Sequence, residues 1–209
     1  FNTSLMGRMA SILMLEDSPY KWAYLKALSR WIDNGFKYVD GTKPCFKSDG
    51  SIYHHRKAYP AYAVGGLDGA VNSVWMLRGT ALAVSQESHE ILRHALLEMR
   101  FWCNLRSFPL AMSGRHPDGK GELSPRHYAM LADAGTPDGE SLIDSEIASA
   151  YLRLVPDARP KEREWIEKFA AVSLLPETTP QGSRSYGYNC SLSHRYGESL
   201  VTFAGHSRY

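Results

Sequence analysis

The chain has 209 residues, of which 44% are hydrophobic and 22% charged, a balance that buries a core and argues against disorder. Lys and Arg number 24 against 22 Asp and Glu, leaving a formal net charge of +2. Bulk charge therefore excludes a strongly basic nucleic-acid binder, though not a locally basic groove for an acidic ligand.

Asn2, Thr3 and Ser4 can each cap a first helix, whose Leu5, Met9, Ile12 and Leu13 keep helical spacing. Ser18 followed by Pro19 predicts a second, with the stripe Trp22, Leu25, Leu28, Trp31 and Ile32 running to a stop at Gly35. A third is expected over about 62–78, with Leu67, Val71, Val74 and Leu77 on one face and Gly79 ending it. Ser88 is the expected cap of a fourth, which carries Ile91, Leu92, Ala95, Leu96, Met99 and Trp102. Ser124 and Pro125 open another that ends near Gly135, and a further pair covers about 145–154 and 161–172. Helices joined by turns, with no strand between them, predict an all-α array of antiparallel hairpins.

The pattern changes after Pro176. Residues 178–183 read as a linker, and Tyr186, Tyr188, Cys190 and Leu192 then alternate with Gly187, Asn189, Ser191 and Ser193 at strand period. After a turn at 196–199, Leu200, Val201 and Phe203 predict a second strand. A lone hairpin is marginal in water, so the chain is expected to stop inside a β-domain, with the remainder of the polypeptide at both ends. The expected fold is mainly α with a β C-terminal part, divided into 1–176 and 177–209.

No run of eighteen apolar residues occurs, so no membrane partner is expected. The chain opens on Phe1 without a charged and then apolar leader, which places any targeting signal outside it. Cys45, Cys103 and Cys190 are far apart with no CxxC spacing, which argues against a disulfide framework or a structural zinc site.

Two loops concentrate chemistry. Residues 46–62 bring His54, His55, Arg56, Lys57, Tyr53, Tyr59 and Tyr62 to the approach of a helix, and 108–117 present Arg115 and His116 between Gly and Pro. Taken singly, each favours a bland reading. A histidine pair in a loop is most often structural, Tyr59 and Tyr62 can be apolar anchors, and Arg115 can pin a helix C-terminus. Metal binding by His54 and His55 is weaker still, because no carboxylate or third histidine follows at ligand spacing. Trp75 and Trp102 sit at helical spacing and favour core packing over a sugar platform.

Together the groups point further. An elimination beside a carboxylate needs a cation to neutralise that carboxylate, a group to take the C5 proton of a uronic acid, and a group to protonate the departing C4 oxygen. Arginine, histidine and tyrosine supply that set. Bringing a free phenol from a pKa of about 10 to near 7 takes roughly 4 kcal/mol, which a guanidinium and an imidazolium in a partly dry cleft can provide.

The strings Asp49-Gly50-Ser51-Ile52-Tyr53-His54-His55 and Tyr59-Pro60-Ala61-Tyr62 resemble the catalytic loop of polysaccharide lyase family 8. The likeness is closer to its chondroitin sulfate ABC lyase branch, where the catalytic His precedes the catalytic Tyr by seven positions, as His55 precedes Tyr62. Residues 109–117 resemble the branch's Leu-Pro-Leu-Ala-Gly-Arg-His-Pro segment, with a local difference before Gly114. Pro180-Gln181-Gly182, and Tyr188-Asn189 through His194-Arg195, resemble the start of the family's central β-sandwich.

The resemblance implies part of an (α/α) toroid of antiparallel helical hairpins followed by the start of an antiparallel β-sandwich. It also implies β-elimination of chondroitin and dermatan sulfate, with hyaluronan as a weaker substrate, giving unsaturated uronate products. Tyr62 would be the general acid, and the base for glucuronate, with His55 the second proton-transfer group. Arg115 would hold Tyr62 reactive and contact the carboxylate or leaving oxygen, while His54, Arg56 and His116 contact substrate. The family's catalytic glutamate is expected beyond Tyr209. The expected partner is an acidic polysaccharide met by a monomer in the bacterial periplasm or outside the cell, with no nucleic acid. No cofactor is required by this segment; a divalent cation, calcium or magnesium, is compatible with so acidic a substrate, but no ligand cluster demands one. Two rivals remain: a glycosaminoglycan-binding protein without the chemistry, and an (α/α) toroid glycoside hydrolase drawing on Asp49, Asp118 or Glu122.

Overall fold

The computed structural model describes residues 4–55, 57–113, 121–157 and 160–205. Its first helical pair is α1 (Leu5–Leu13) and α2 (Pro19–Gly35), with the Ser18 hydroxyl accepting the Lys21 amide at 3.2 Å and Pro19 in the first turn. α3 (Pro60–Leu77) starts two residues before the expected position, because Pro60 has its φ preset for a first helical residue. α4 (Gln86–Trp102) is capped by Ser85 rather than Ser88. Ser85 has the extended backbone a cap requires and its Oγ accepts the Ser88 amide at 3.2 Å, so Ser88 already lies inside the first turn.

α5 (Pro125–Asp133) and α6 (Ser145–Leu154) follow, α6 capped by Asp144, whose Oδ1 accepts the amides of Glu146 and Ile147 at 3.1 Å each. The last helix is shorter than expected: a 3-10 turn over Pro160–Glu162 leads into α7 (Arg163–Ala170). α5 packs on α6 and α3, and α4 on α6. Their buried faces merge Leu67, Val71 and Val74 with Leu92, Leu96 and Met99, each such side chain contributing about 1.5–3 kcal/mol. Tyr128 is sealed among them, its hydroxyl donating to the Leu96 carbonyl at 2.7 Å. Trp102 is buried against Phe108 and Trp75 donates to Asp133 at 2.7 Å, so both indoles belong to the packing.

Strands do interrupt the helices, contrary to the sequence expectation. Three short antiparallel strands, β1 (Cys45–Phe46), β2 (Ile52–His54) and β3 (Lys57–Ala58), form a sheet immediately before α3. Segments of two or three residues are too short to leave a periodic signal.

The C-terminal part is a three-stranded antiparallel sheet of β4 (Gly182–Tyr186), β5 (Ser191–Tyr196) and β6 (Ser199–Ala204). The single strand expected across 186–193 is broken by a 3-10 turn over Gly187–Asn189 and by Cys190 at φ 49°. Part of the expected linker, Gly182 and Ser183, belongs to β4. On β5 the polar residues Ser191, Ser193 and Arg195 face inward while Leu192 and Tyr196 face out. Arg195 decides that face, since its buried guanidinium donates to the Phe101 and Cys103 carbonyls at the end of α4. Tyr186 donates to Glu98 at 2.9 Å, and Glu177 binds Arg153 at 2.8 Å and Arg100 at 3.0 Å, completing the junction.

Candidate active site

The β1–β2 hairpin turns at Asp49-Gly50. Asp49 Oδ1 accepts the Ser51 amide at 3.0 Å and the Ser51 hydroxyl at 2.6 Å, while Gly50 takes φ +77°. A Cβ on Gly50 would stand 2.4 Å from Glu98 Cγ, so the turn is pressed against α4 and only glycine fits. Alternation along β2 then buries Tyr53 and leaves Ile52 and His54 half-buried on the other face. His55 follows at φ 50°, a left-handed conformation that histidine adopts more readily than most side chains.

Pro60 separates two tyrosines with opposite environments. Tyr59 is buried at the N-terminus of α3, its carbonyl accepting the Tyr62 and Ala63 amides at 3.1 Å. Tyr62, in the first turn of the helix, is 40% exposed. The sharp hairpin and the helix start fold the two ends of this segment onto each other. The His54 ring stacks on Tyr62 with centroids 5.0 Å apart and an 8° interplanar angle. His55 meets Tyr62 edge-on at 5.3 Å and His54 at 4.2 Å. Burial and the neighbouring His55 push the His54 pKa down, so it is neutral near pH 7. His54 Nδ1 is shielded from solvent and has no hydrogen-bond partner among the described residues.

The structure thus brings His54, His55 and Tyr62 into one cluster. Arg56, Arg115 and His116 lie outside the described residues. The loop that leads to Arg115 is anchored by a 3-10 turn over Leu110–Met112, with Ser113 buried and donating to the Pro109 carbonyl at 2.9 Å. Of the carboxylates considered for a hydrolase, Asp118 is outside the described residues, Asp49 holds its own turn and Glu122 pairs with Arg106 at 3.7 Å.

Two supporting residues had no assigned part in the sequence reading. Lys47 is fully buried, and its ammonium donates to the carbonyls of Val39, Gly41 and Lys43 at 2.5, 2.8 and 2.7 Å. Only a protonated amine has three N–H groups to give, and Asp40 and Asp49 oppose the lowering of its pKa by burial. The same ammonium lies 4.9 Å from the Tyr53 ring and 4.8 Å from the Tyr188 ring. Tyr188 reaches across from the C-terminal part, its hydroxyl donating to Asp40 at 2.9 Å and its amide to Asp49 at 3.4 Å. A lysine inside a polar loop reads as exposed in sequence, so nothing there signalled its burial.

A sequence model described as "Lyase, catalytic" matches residues 1–161 of the chain. The chain belongs to this lyase family. Over its whole length it is 51% identical to a chondroitin sulfate ABC exolyase of Bacteroides thetaiotaomicron, covering 22% of that protein. It is 37% identical to a chondroitin sulfate ABC exolyase of Proteus vulgaris across 73% of the chain and 16% of the relative. A chondroitin sulfate ABC endolyase of Proteus vulgaris is 24% identical across 99% of the chain and 20% of the relative. The chain therefore spans about a fifth of the length of these relatives. Membership of the lyase family agrees with the reading of the segments around His55–Tyr62 and Arg115 as polysaccharide lyase family 8.

Proposed function

We propose that the chain is the catalytic portion of a lyase that cleaves chondroitin and dermatan sulfate, and hyaluronan more weakly, by β-elimination. The observation that carries this reading is the cluster of His54 and His55 around the exposed Tyr62, in a chain of a lyase catalytic family. A uronate seated over the cluster places its C5 proton and its C4 oxygen near an imidazole and a phenol. Tyr62, or His55, takes the C5 proton; the C5–H electron pair becomes the C4–C5 double bond, and the C4–oxygen bond breaks. A phenolic proton from Tyr62 then completes the leaving hydroxyl. Arg115 is assigned to neutralise the carboxylate on which charge accumulates, with Arg56 and His116 as substrate contacts. The neutral His54 orients the tyrosine ring by stacking and contacts the sugar.

In this reading residues 1–176 are the later helices of an (α/α) toroid and 177–209 begin a β-sandwich. The protein works as a monomer on an acidic polysaccharide in the periplasm or outside the cell. The test is Tyr62→Phe in the complete polypeptide. Removal of one exposed hydroxyl is expected to leave the melting temperature in place while unsaturated-uronate absorbance forms roughly 10²–10⁴-fold more slowly. Near-normal turnover would remove Tyr62 from the mechanism. A wild-type protein that complexes chondroitin sulfate without generating the absorbance would be a binding protein instead.

A further inference from the structure

A cavity of about 200 Å³ opens beside the His–Tyr cluster, walled by Phe46, Ile52, His54, Tyr62, Gly66 and Leu67. Its lining holds no Lys, Arg, Asp or Glu among the described residues. A sulfate or carboxylate would be desolvated there without a counter-charge, so the cavity suits a small neutral group. A neutral group that ends in a methyl, such as an acetamide, matches that lining.

Gly66 makes the cavity look maintained rather than accidental. It lies inside α3, where glycine costs about 1 kcal/mol relative to alanine. A Cβ built there meets nothing within 4 Å, so no neighbour demands the missing side chain. What glycine preserves at this position is open space.

Resting on the elimination proposed above, we infer that this cavity receives the acetamido group of the hexosamine whose glycosidic oxygen departs. That group is carried on C2, adjacent to the anomeric carbon that bears the departing oxygen. Tyr62 belongs both to the catalytic cluster and to the cavity wall. A sugar that presents its oxygen to the Tyr62 phenol therefore carries its acetamido group to the cavity. Filling the cavity with the methyl makes Gly66 a specificity determinant for N-acetylated polymers.

The experiment compares chondroitin with the same polymer after de-N-acetylation and N-formylation, using unsaturated-uronate absorbance from the complete polypeptide. The wild type is expected to favour the N-acetyl polymer by about tenfold in kcat/KM, the value of one buried methyl. Gly66→Leu occupies the space and is expected to shrink that preference to about twofold or less, mainly through a higher KM for the N-acetyl polymer. Gly66→Ala, which raises helix propensity and guards against misfolding, is expected to give an intermediate preference. The site is overturned if the wild type treats both polymers alike, or if the Gly66 variants slow both by the same factor. A wild type that yields no unsaturated product from either polymer overturns the elimination itself, and this site with it.

Discussion

Lys47, beneath the His–Tyr hairpin, and Arg195, at the junction of sheet and helix, are buried cations that give their hydrogen bonds to main-chain carbonyls. Lys47 gathers three oxygens from the single loop 39–43, curling it around one tetrahedral ammonium. Arg195 uses a planar fork to join β5 to the Phe101 and Cys103 carbonyls, more than ninety positions away in the chain. A carbonyl cannot swing or take up a proton as a carboxylate can, so each cation fixes backbone geometry. The difference lies in what that backbone carries. The Lys47 loop seats Tyr53, next to His54, whereas the α4 end and β5 carry no member of the cluster. One cation therefore supports the cluster as well as the fold, and the other supports the fold alone.

Lys47→Met gives the larger expected effect. The methionine keeps most of the stem but leaves three carbonyls without their donor, a loss of about 4 kcal/mol in stability. Turnover is expected to fall further than the unfolded fraction explains, because the seat of Tyr53 loosens beneath His54. Thermal unfolding and initial rates, measured at a temperature where the variant is folded, separate the two losses. Arg195→Met abandons two carbonyls at a helix C-terminus, with about 3 kcal/mol lost and the rate per folded molecule kept within about threefold. If Arg195→Met abolished turnover as fully as Lys47→Met, the division of labour between the two cations would fail.

That division was invisible in the sequence because a lysine in a polar loop reads as exposed, and Arg195 meets its carbonyls more than ninety positions away. Tyr188 meets Asp40 across 148 positions, and no local pattern announces such a pair. The helices were legible where two signals coincide, as at α2, where the Ser18 cap and Pro19 directly precede the apolar spacing of Leu28 and Ile32. At α4 the expected cap was Ser88, and the extended backbone at Ser85 moves it three residues earlier. The alternation at 186–193 did not tell which side of β5 is buried, because the inward polar face depends on the distant carbonyls that Arg195 meets. Of the expected convergence of imidazole, phenol and guanidinium, the structure brings His55 and Tyr62 together, while Arg115 lies outside the described residues.

His89 on α4 sharpens the comparison because it is a buried base without an acceptor. It is 7% exposed and its Nε2 has no hydrogen-bond partner among the described residues. Burial drives its pKa from 6.5 down to about 4, the Asp144 carboxylate opposing that fall and Arg93 reinforcing it. Between those values the unfolded chain binds the proton that native His89 refuses. Stability is therefore full above pH 6.5, declines as pH falls through the window, and levels off below about 4. The loss amounts to about 2 kcal/mol by pH 5. His89→Gln is expected to remove that part of the acid slope, read as the difference between variant and wild-type unfolding free energies at pH 7 and pH 5. An unchanged slope would place the acid sensitivity in other groups. An imidazole found charged at pH 5 by its NMR shifts would go further. It would mean that a buried base here keeps its proton without carbonyls to receive it, and the explanation given for Lys47 would lose its ground.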